Sequence, residues 1–207
     1  MRTRATGLIS LVAVAILVLA GCSDGAEGTA GPTDSENESQ EAPMLPHSGA
    51  PAVEDPIADT KAFEKDTCAV LPEEELHRLA VDVAGTETER DHEAGPACRW
   101  RTETRDESFT TALLTADGEG LSSSYENADD DGLLNELEPI AGHPAIAVDL
   151  IDRRDQGYCN VAVGLRDDLS FYVGLSSFVP DSPFYDDPCG AAYEIAEMAV
   201  ETIKGGQ

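Results

Sequence analysis

Two periods run through the chain, one of two residues and one close to four, and they mark different stretches of it. Cys98-Arg99-Trp100-Arg101-Thr102 alternates, which predicts a strand with Cys98 and Trp100 inward and Arg99, Arg101 and Glu103 outward. Asp106-Glu107 reads as a turn before a second strand from Phe109 to Thr115, and Gly118 and Gly120 break that strand. Gly142-His143-Pro144 is a turn leading into a strand from Ala145 to Leu150. The cleanest alternation comes later, in Cys159 to Leu165 and Leu169 to Leu175; the short break at Asp167-Asp168 predicts a hairpin. Helical signals stand at both ends of this run. Pro72 followed by Glu73, Glu74 and Glu75 opens one helix, with Leu76, Leu79 and Ala80 as its stripe. Asp187-Pro188 opens another, with Ala192, Ile195, Ala199 and Ile203 on one face and Gly205-Gly206 at its end. Thr86 to Pro96 is polar and turn-rich with at most one weak strand, and Leu121 to Leu137 reads as a helix followed by a loop. Neighbouring strands between helices predict an α+β domain: a single antiparallel sheet with helices packed on one face.

The N-terminus follows a different pattern. Arg2 and Arg4 precede an apolar run of about twelve residues from Leu8 to Leu19, the length of a signal-peptide core and too short to span a bilayer. Leu19-Ala20-Gly21-Cys22 closes the run and resembles the lipobox of bacterial lipoproteins. The resemblance implies cleavage before Cys22 by the lipoprotein maturation enzymes, a diacylglycerol thioether on its sulfur, and an acyl chain such as palmitate on the new amino group. Residues 1–21 are then a signal peptide, and the lipid holds the protein on the outer face of the cell membrane. Two or three acyl chains, at roughly 0.8 kcal/mol per buried methylene, hold far better than one.

Charge narrows the partners. The chain carries 41 Asp and Glu against 13 Lys and Arg; losing residues 1–21 removes two arginines and no acid, which leaves a formal charge of −30. Such a surface repels nucleic acid and anionic headgroups, so lipid rather than charge is the expected membrane attachment. Residues 23–60 hold nine acids, no Lys or Arg, and no apolar periodicity. Together with Cys22 they read as a disordered acidic linker over 22–60, with a mean reach of roughly 30–37 Å. Residues 61–207 are expected to form one α+β domain.

Four cysteines remain beside Cys22: Cys68, Cys98, Cys159 and Cys189. They contain no close pair of the kind a zinc site uses, and an even set in an exported chain points to two disulfides. Three pairings are possible; Cys68–Cys98 and Cys159–Cys189 are favoured, each closing a span worth roughly 3–4 kcal/mol in the chain-entropy view.

Several side-chain groupings bear on chemistry. Arg99, Arg101 and Arg105 lie at alternating positions and form a candidate anion patch; pairing with acidic neighbours is the plainer role. Tyr172 is out of register with the apolar face of its strand, and with Phe184 and Tyr185 it is a candidate groove lining. Asn127, Asp129, Asp131, Gly132 and Glu138 resemble a twelve-residue calcium loop, yet Pro139 opposes the exiting helix such a loop needs, so the stretch is read as a solvated turn with no bound metal. Ser122-Ser123-Ser124 lacks a nucleophile elbow, the four histidines are scattered, and no carboxylate pair stands out among so many. No cofactor is expected, and catalysis is not.

Five marks occur in order: Asp66-Thr67-Cys68-Ala69-Val70-Leu71, Gly95-Pro96-Ala97-Cys98-Arg99-Trp100, Gly142-His143-Pro144-Ala145, Cys159 to Val163, and Asp187-Pro188-Cys189. With them the chain resembles the actinobacterial lipoproteins grouped as a domain of unknown function, DUF3558. The resemblance spans the signal, the linker and nearly the whole domain. It implies a disulfide-bonded α+β domain on the cell envelope and no assigned activity. The expected role is a non-catalytic binding module for a protein or cell-envelope component. A small-molecule or lipid carrier with an apolar pocket near the last hairpin and final helix is the first alternative; an envelope hydrolase is the second.

Overall fold

The computed structural model describes residues 44–76, 79, 83–89, 93–130, 132–180 and 182–206, with the backbone alone for 83–89. The expected signal peptide, Cys22 and the first half of the expected linker lie outside the described residues. Seven antiparallel strands form one sheet in the order β1-β2-β3-β7-β6-β5-β4. These are β1 (Val83–Glu89), β2 (Ala97–Thr102), β3 (Glu107–Leu114), β4 (Leu133–Glu136), β5 (Ala145–Asp149), β6 (Tyr158–Arg166) and β7 (Leu169–Ser177). The helices are α1 (Lys61–Lys65), α2 (Glu73–Leu76), α3 (Ser122–Glu126), α4 (Pro183–Asp186) and α5 (Pro188–Gly205), with a 3-10 turn at Thr67–Val70.

Register explains the core. β6 and β7 pair so that Val161 faces Val173 and Val163 faces Phe171, while β3 sets Phe109 opposite Leu175 and Leu113 opposite Phe171. Because side chains alternate, these residues share one sheet face, with Trp100 and Cys98 beside them on β2. Helix α5 covers that face with Ala192, Ile195, Ala196, Ala199, Val200 and Ile203, all at 0% exposure. Three alanines at the contact let the helix backbone approach the strands closely. Asp187 caps the helix, its Oδ1 accepting from Gly190 N–H at 2.9 Å, and Pro188 occupies the first turn.

Both disulfides join this layer to the sheet. Cys68–Cys98 ties the 3-10 turn to β2, and Cys159–Cys189 ties α5 to β6, which is the favoured pairing. Trp100 stacks on Phe109 with ring centroids 5.0 Å apart, and Phe184 meets Phe109 edge-on at 6.3 Å. His143 is likewise interior, with 1% exposure, and its Nδ1 donates to the Gly164 carbonyl at 3.1 Å. Burial holds its imidazole below the usual histidine range, so it stays neutral in the folded protein at pH 7.

Three expectations need correction. Residues 133–136 form edge strand β4 rather than a loop, paired along β5. Short helix α3 packs on the opposite sheet face from α5, where Leu121 joins Ile146 and Ala162. The linker does not extend to residue 60. Residues 47–60 form a strap around the tip of the β6–β7 hairpin: Val53 N–H donates to Asp167 Oδ1 at 2.9 Å, Ile57 N–H to the Leu165 carbonyl at 2.9 Å, and Arg166 Nη1 reaches both the Ile57 carbonyl and Thr60 Oγ1 at 3.4 Å. Ile57 and Thr60 are 4% and 2% exposed. Gly164 makes room for the strap, because a side chain there would meet Val53 and Leu121 at 3.1 Å.

The strap therefore belongs to the folded domain. Replacing Ile57 by Ala is expected to cost about 2–4 kcal/mol in urea unfolding, the range for truncating a buried isoleucine. A shift below about 0.5 kcal/mol, the size of ordinary surface substitutions, would return residues 47–60 to the linker.

Candidate functional site

The sheet face opposite α5 is covered only in part. The strap and α3 overlie β5 and the near half of β6, where Ala50, Tyr125 and Val148 pack around Leu121. Over β3, β7 and the start of β6 the face is open, because its residues there are small or polar and uncharged. Alternation places Ser108, Thr110 and Ala112 of β3, Tyr172, Gly174 and Ser176 of β7, and Tyr158 and Asn160 of β6 on this side. They line a hollow of about 490 Å³. A second hollow of about 360 Å³, walled by Ser123, Ser124 and Asn127 on the α3 side and by Val148 and Leu150 on the β5 side, adjoins it. Asn160 and Tyr172 line both and form the ridge between them. Together the hollows make a trough across the sheet.

Gly174 sets the depth of the trough. A Cβ there would lie 2.8 Å from the Tyr172 hydroxyl and 3.0 Å from Asn160 Oδ1, so only glycine lets the tyrosine ring rest along the strand. Burial, with the Asp149 carboxylate nearby, pushes the Tyr172 hydroxyl up to about 12, and the phenol remains neutral. At the trough's end Arg153 Nη2 lies 3.6 Å from Asp149 Oδ2 and its guanidinium stacks 4.4 Å above the Tyr158 ring. Phe178 packs edge-on against Tyr158 at 5.4 Å. Phe178, Leu150 and Ile151 are 58%, 67% and 62% exposed, and β-sheet topology puts all three at this same end.

Arg99 supplies the charge. Its Nη2 donates to Ser108 Oγ at 3.3 Å, and Ser108 Oγ lies 3.1 Å from Ser176 Oγ, a polar row along the trough wall. Arg99 Nε is enclosed and has no hydrogen-bond partner among the described residues. Among the described residues Arg99 is the one charged side chain lining the 490 Å³ hollow, in a chain with 41 acids. A larger hollow of about 560 Å³ at the start of α5 has the opposite character: Asp152, Asp155, Asp186 and Asp187 line it, and its Arg154 is engaged by Asp152 at 2.7 Å.

The expected site residues are thus divided. Arg99 and Tyr172 line the same hollow. Arg101 follows two residues later on β2 but lies outside that lining, beside Trp100 and Phe109. Arg105 leaves the patch, because alternation ends at Thr102: its N–H closes a turn onto the Thr102 carbonyl at 3.0 Å with φ +64°. Phe184 is 3% exposed and belongs to the core, while Tyr185 reaches the Asp155 carbonyl at 3.5 Å, away from the trough. The calcium frame also fails. Asn127 caps α3 through its Nδ2 on the Ser123 carbonyl at 2.7 Å, strand β4 occupies the frame's second half, and Glu138 opens no helix; Asp131 lies outside the described residues. Tyr158, Asn160, Ser108 and Ser176 were not singled out from the sequence. Their signal was the small, uncharged outer register of β3, β6 and β7, which converges only once those strands are known to be neighbours.

An antiparallel α+β domain, its sheet stapled once to the covering helix and once to the 3-10 turn and open on its other face, defines the class of protein. The sequence pattern of the family described as a protein of unknown function, DUF3558, matches residues 17–202, and the chain belongs to that family. Comparison with curated proteins and with solved structures gave no match. The two disulfides fit an extracytoplasmic compartment. No helix among the described residues is long and apolar enough to cross a membrane.

Of the five tyrosines, Tyr172 and Tyr125, the latter donating to Glu136 Oε1 at 3.2 Å, have hydroxyls raised to about 12. Ultraviolet titration of Tyr172→Phe is expected to remove one late-ionising phenol. An unchanged late step would place that ring in solvent.

Proposed function

We propose that this protein is a lipid-anchored, non-catalytic binding module of the cell envelope, holding its ligand in the trough over the open sheet face. The observation that supports the reading is the enclosed Arg99 Nε, which has no acceptor among the described side chains, on a wall whose other described residues are uncharged. A buried donor left unpaired costs about 1–3 kcal/mol, and a ligand oxygen would relieve that cost. The Tyr172 and Tyr158 rings, with Ala112 and Leu114, offer apolar surface on either side of the polar row. The chemistry that fits is an envelope component with an anionic group for Arg99 and a flat or chain-like apolar body for the tyrosines. Both hollows are open, so a long molecule or a segment of a protein partner can run through them, with the exposed Leu150, Ile151 and Phe178 as an apolar rim. A closed carrier cavity between the last hairpin and final helix finds no support, since Val161, Val173, Ile195 and Ala199 fill that space at 0% exposure.

The anchor is the other half of this reading. Its support is the Leu19-Ala20-Gly21-Cys22 sequence after an apolar run, together with disulfides suited to an oxidising compartment. The maturation enzymes are its proposed partners in processing, and the lipid its contact with the membrane.

Two outcomes test the proposal. Among amphiphilic envelope extracts passed over the immobilised domain, the retained anionic component is expected to bind Arg99→Ala about tenfold or more weakly, the loss of one charge-assisted hydrogen bond. Equal retention by wild type, Arg99→Ala and Tyr172→Ala would remove the trough from the function. Mass spectrometry of the protein from cells is expected to find residue 22 as the first residue, carrying diacylglycerol; an unmodified thiol or an intact leader would end the anchoring account.

A further inference from the structure

Apart from the trough, three metal-ligating side chains meet where the strap joins α3. One ligand atom from each of His47, Glu119 and Glu126 lies within 4.8 Å of the other two. They come from three places in the chain: the strap, the turn before α3, and the last turn of α3. Backbone contacts hold them in register. His47 N–H donates to Ser122 Oγ at 3.0 Å, and Ser122 N–H donates to the Glu119 carbonyl at 3.0 Å. Ser122 and Glu126 are four residues apart on α3, so they share the helix face that the strap meets.

The imidazole is the informative member. Its Nδ1 lies 3.0 Å from Ser48 Oγ, while its Nε2 is enclosed and has no hydrogen-bond partner among the described residues. An imidazole and two carboxylates thus stand together in a chain of net charge −28, and one cation would satisfy all three. Zinc–nitrogen and zinc–oxygen bonds of about 2.0–2.2 Å at tetrahedral angles put ligand atoms about 3.3–3.6 Å apart, so closure by at most about 1.5 Å completes the set.

We propose that His47, Glu119 and Glu126 form a divalent metal site of the zinc type, with one imidazole nitrogen, two carboxylate oxygens and a fourth position left to water. Calcium, which takes six to eight oxygen ligands, matches this donor set poorly. The Ser48 contact is the supporting hydrogen bond that fixes ring and tautomer, as in other metal-bound histidines. Because Ser123, Ser124 and Asn127 of the same α3 region wall the second hollow, the ion fixes both the strap and one side of the trough. The site stands whether or not the trough binds a ligand.

The test is calorimetric titration of the full mature chain, with Cys22 acylated or alkylated so that its thiol takes no metal, after removal of adventitious ions by a chelator. Zn²⁺ is expected to bind one to one and Ca²⁺ about tenfold or more weakly. His47→Gln and Glu126→Gln are each expected to lower zinc affinity about tenfold or more, with the exposed Asp152→Asn as an unaffected control. Zn²⁺ should also slow proteolysis between residues 44 and 60 in the wild type and not in His47→Gln. Since Glu126 is exposed on a short helix, its variant keeps the fold and reads the site directly. Equal zinc affinity in wild type and Glu126→Gln, equal affinities for zinc and calcium, or no heat with millimolar Zn²⁺ would each overturn the proposal.

Discussion

One long helix and a seven-stranded sheet set the terms for everything else in this domain. A sheet of that width has two faces, and α5 can bury only one of them. On that face Ala192, Ala196 and Ala199 bring the helix down onto β6 and β7, and Trp100, Phe109 and Phe184 extend the core toward β2. The other face must then be covered by something else or made tolerable to water. Near β5 it is covered by α3 and the strap; over β3 and β7 it is paved with serine, threonine, alanine and glycine. The trough is the place where covering stops.

The two disulfides reinforce the same division. Each joins the helical layer to a strand within the covered face, and neither touches the open one. Cross-linking restrains the unfolded chain and holds the core layer, while the hairpin tip and strap depend on a handful of hydrogen bonds. Cross-linking is thus concentrated on one side of the sheet. The charge is divided too: aspartates crowd the start of α5, whereas the trough's larger hollow has, among the described residues, a single arginine and no acid.

Much of this was legible in the sequence, and the misses have physical causes. β6, β7 and α5 could be read because each buries one full face, so period and burial coincide. β4 was missed because Leu133-Leu134-Asn135-Glu136 is a four-residue edge strand with only Leu133 buried. The strap was missed because it docks through backbone bonds and isolated anchors such as Ile57, which leave no period. Phe184 misled because it adjoins half-buried Tyr185 in a proline-rich loop; the Ser182 cap on Phe184 N–H turns the chain so that the ring drops onto Phe109. Arg99 and Tyr172 could be nominated separately, but their juxtaposition depends on β3 pairing with β7 across some sixty residues of intervening chain, which no local pattern encodes.

The strap has a mechanical corollary. Tension arriving from the N-terminal side reaches the end of β6 and the β6–β7 hairpin tip first, through the bonds at Val53, Ile57 and Arg166. Peeling of residues 47–60 would release some 45 Å of chain at about 3.3 Å per residue and leave the disulfide-stapled layer intact. The segment is a yielding element in series with the sheet, so the domain can be tugged outward without unravelling.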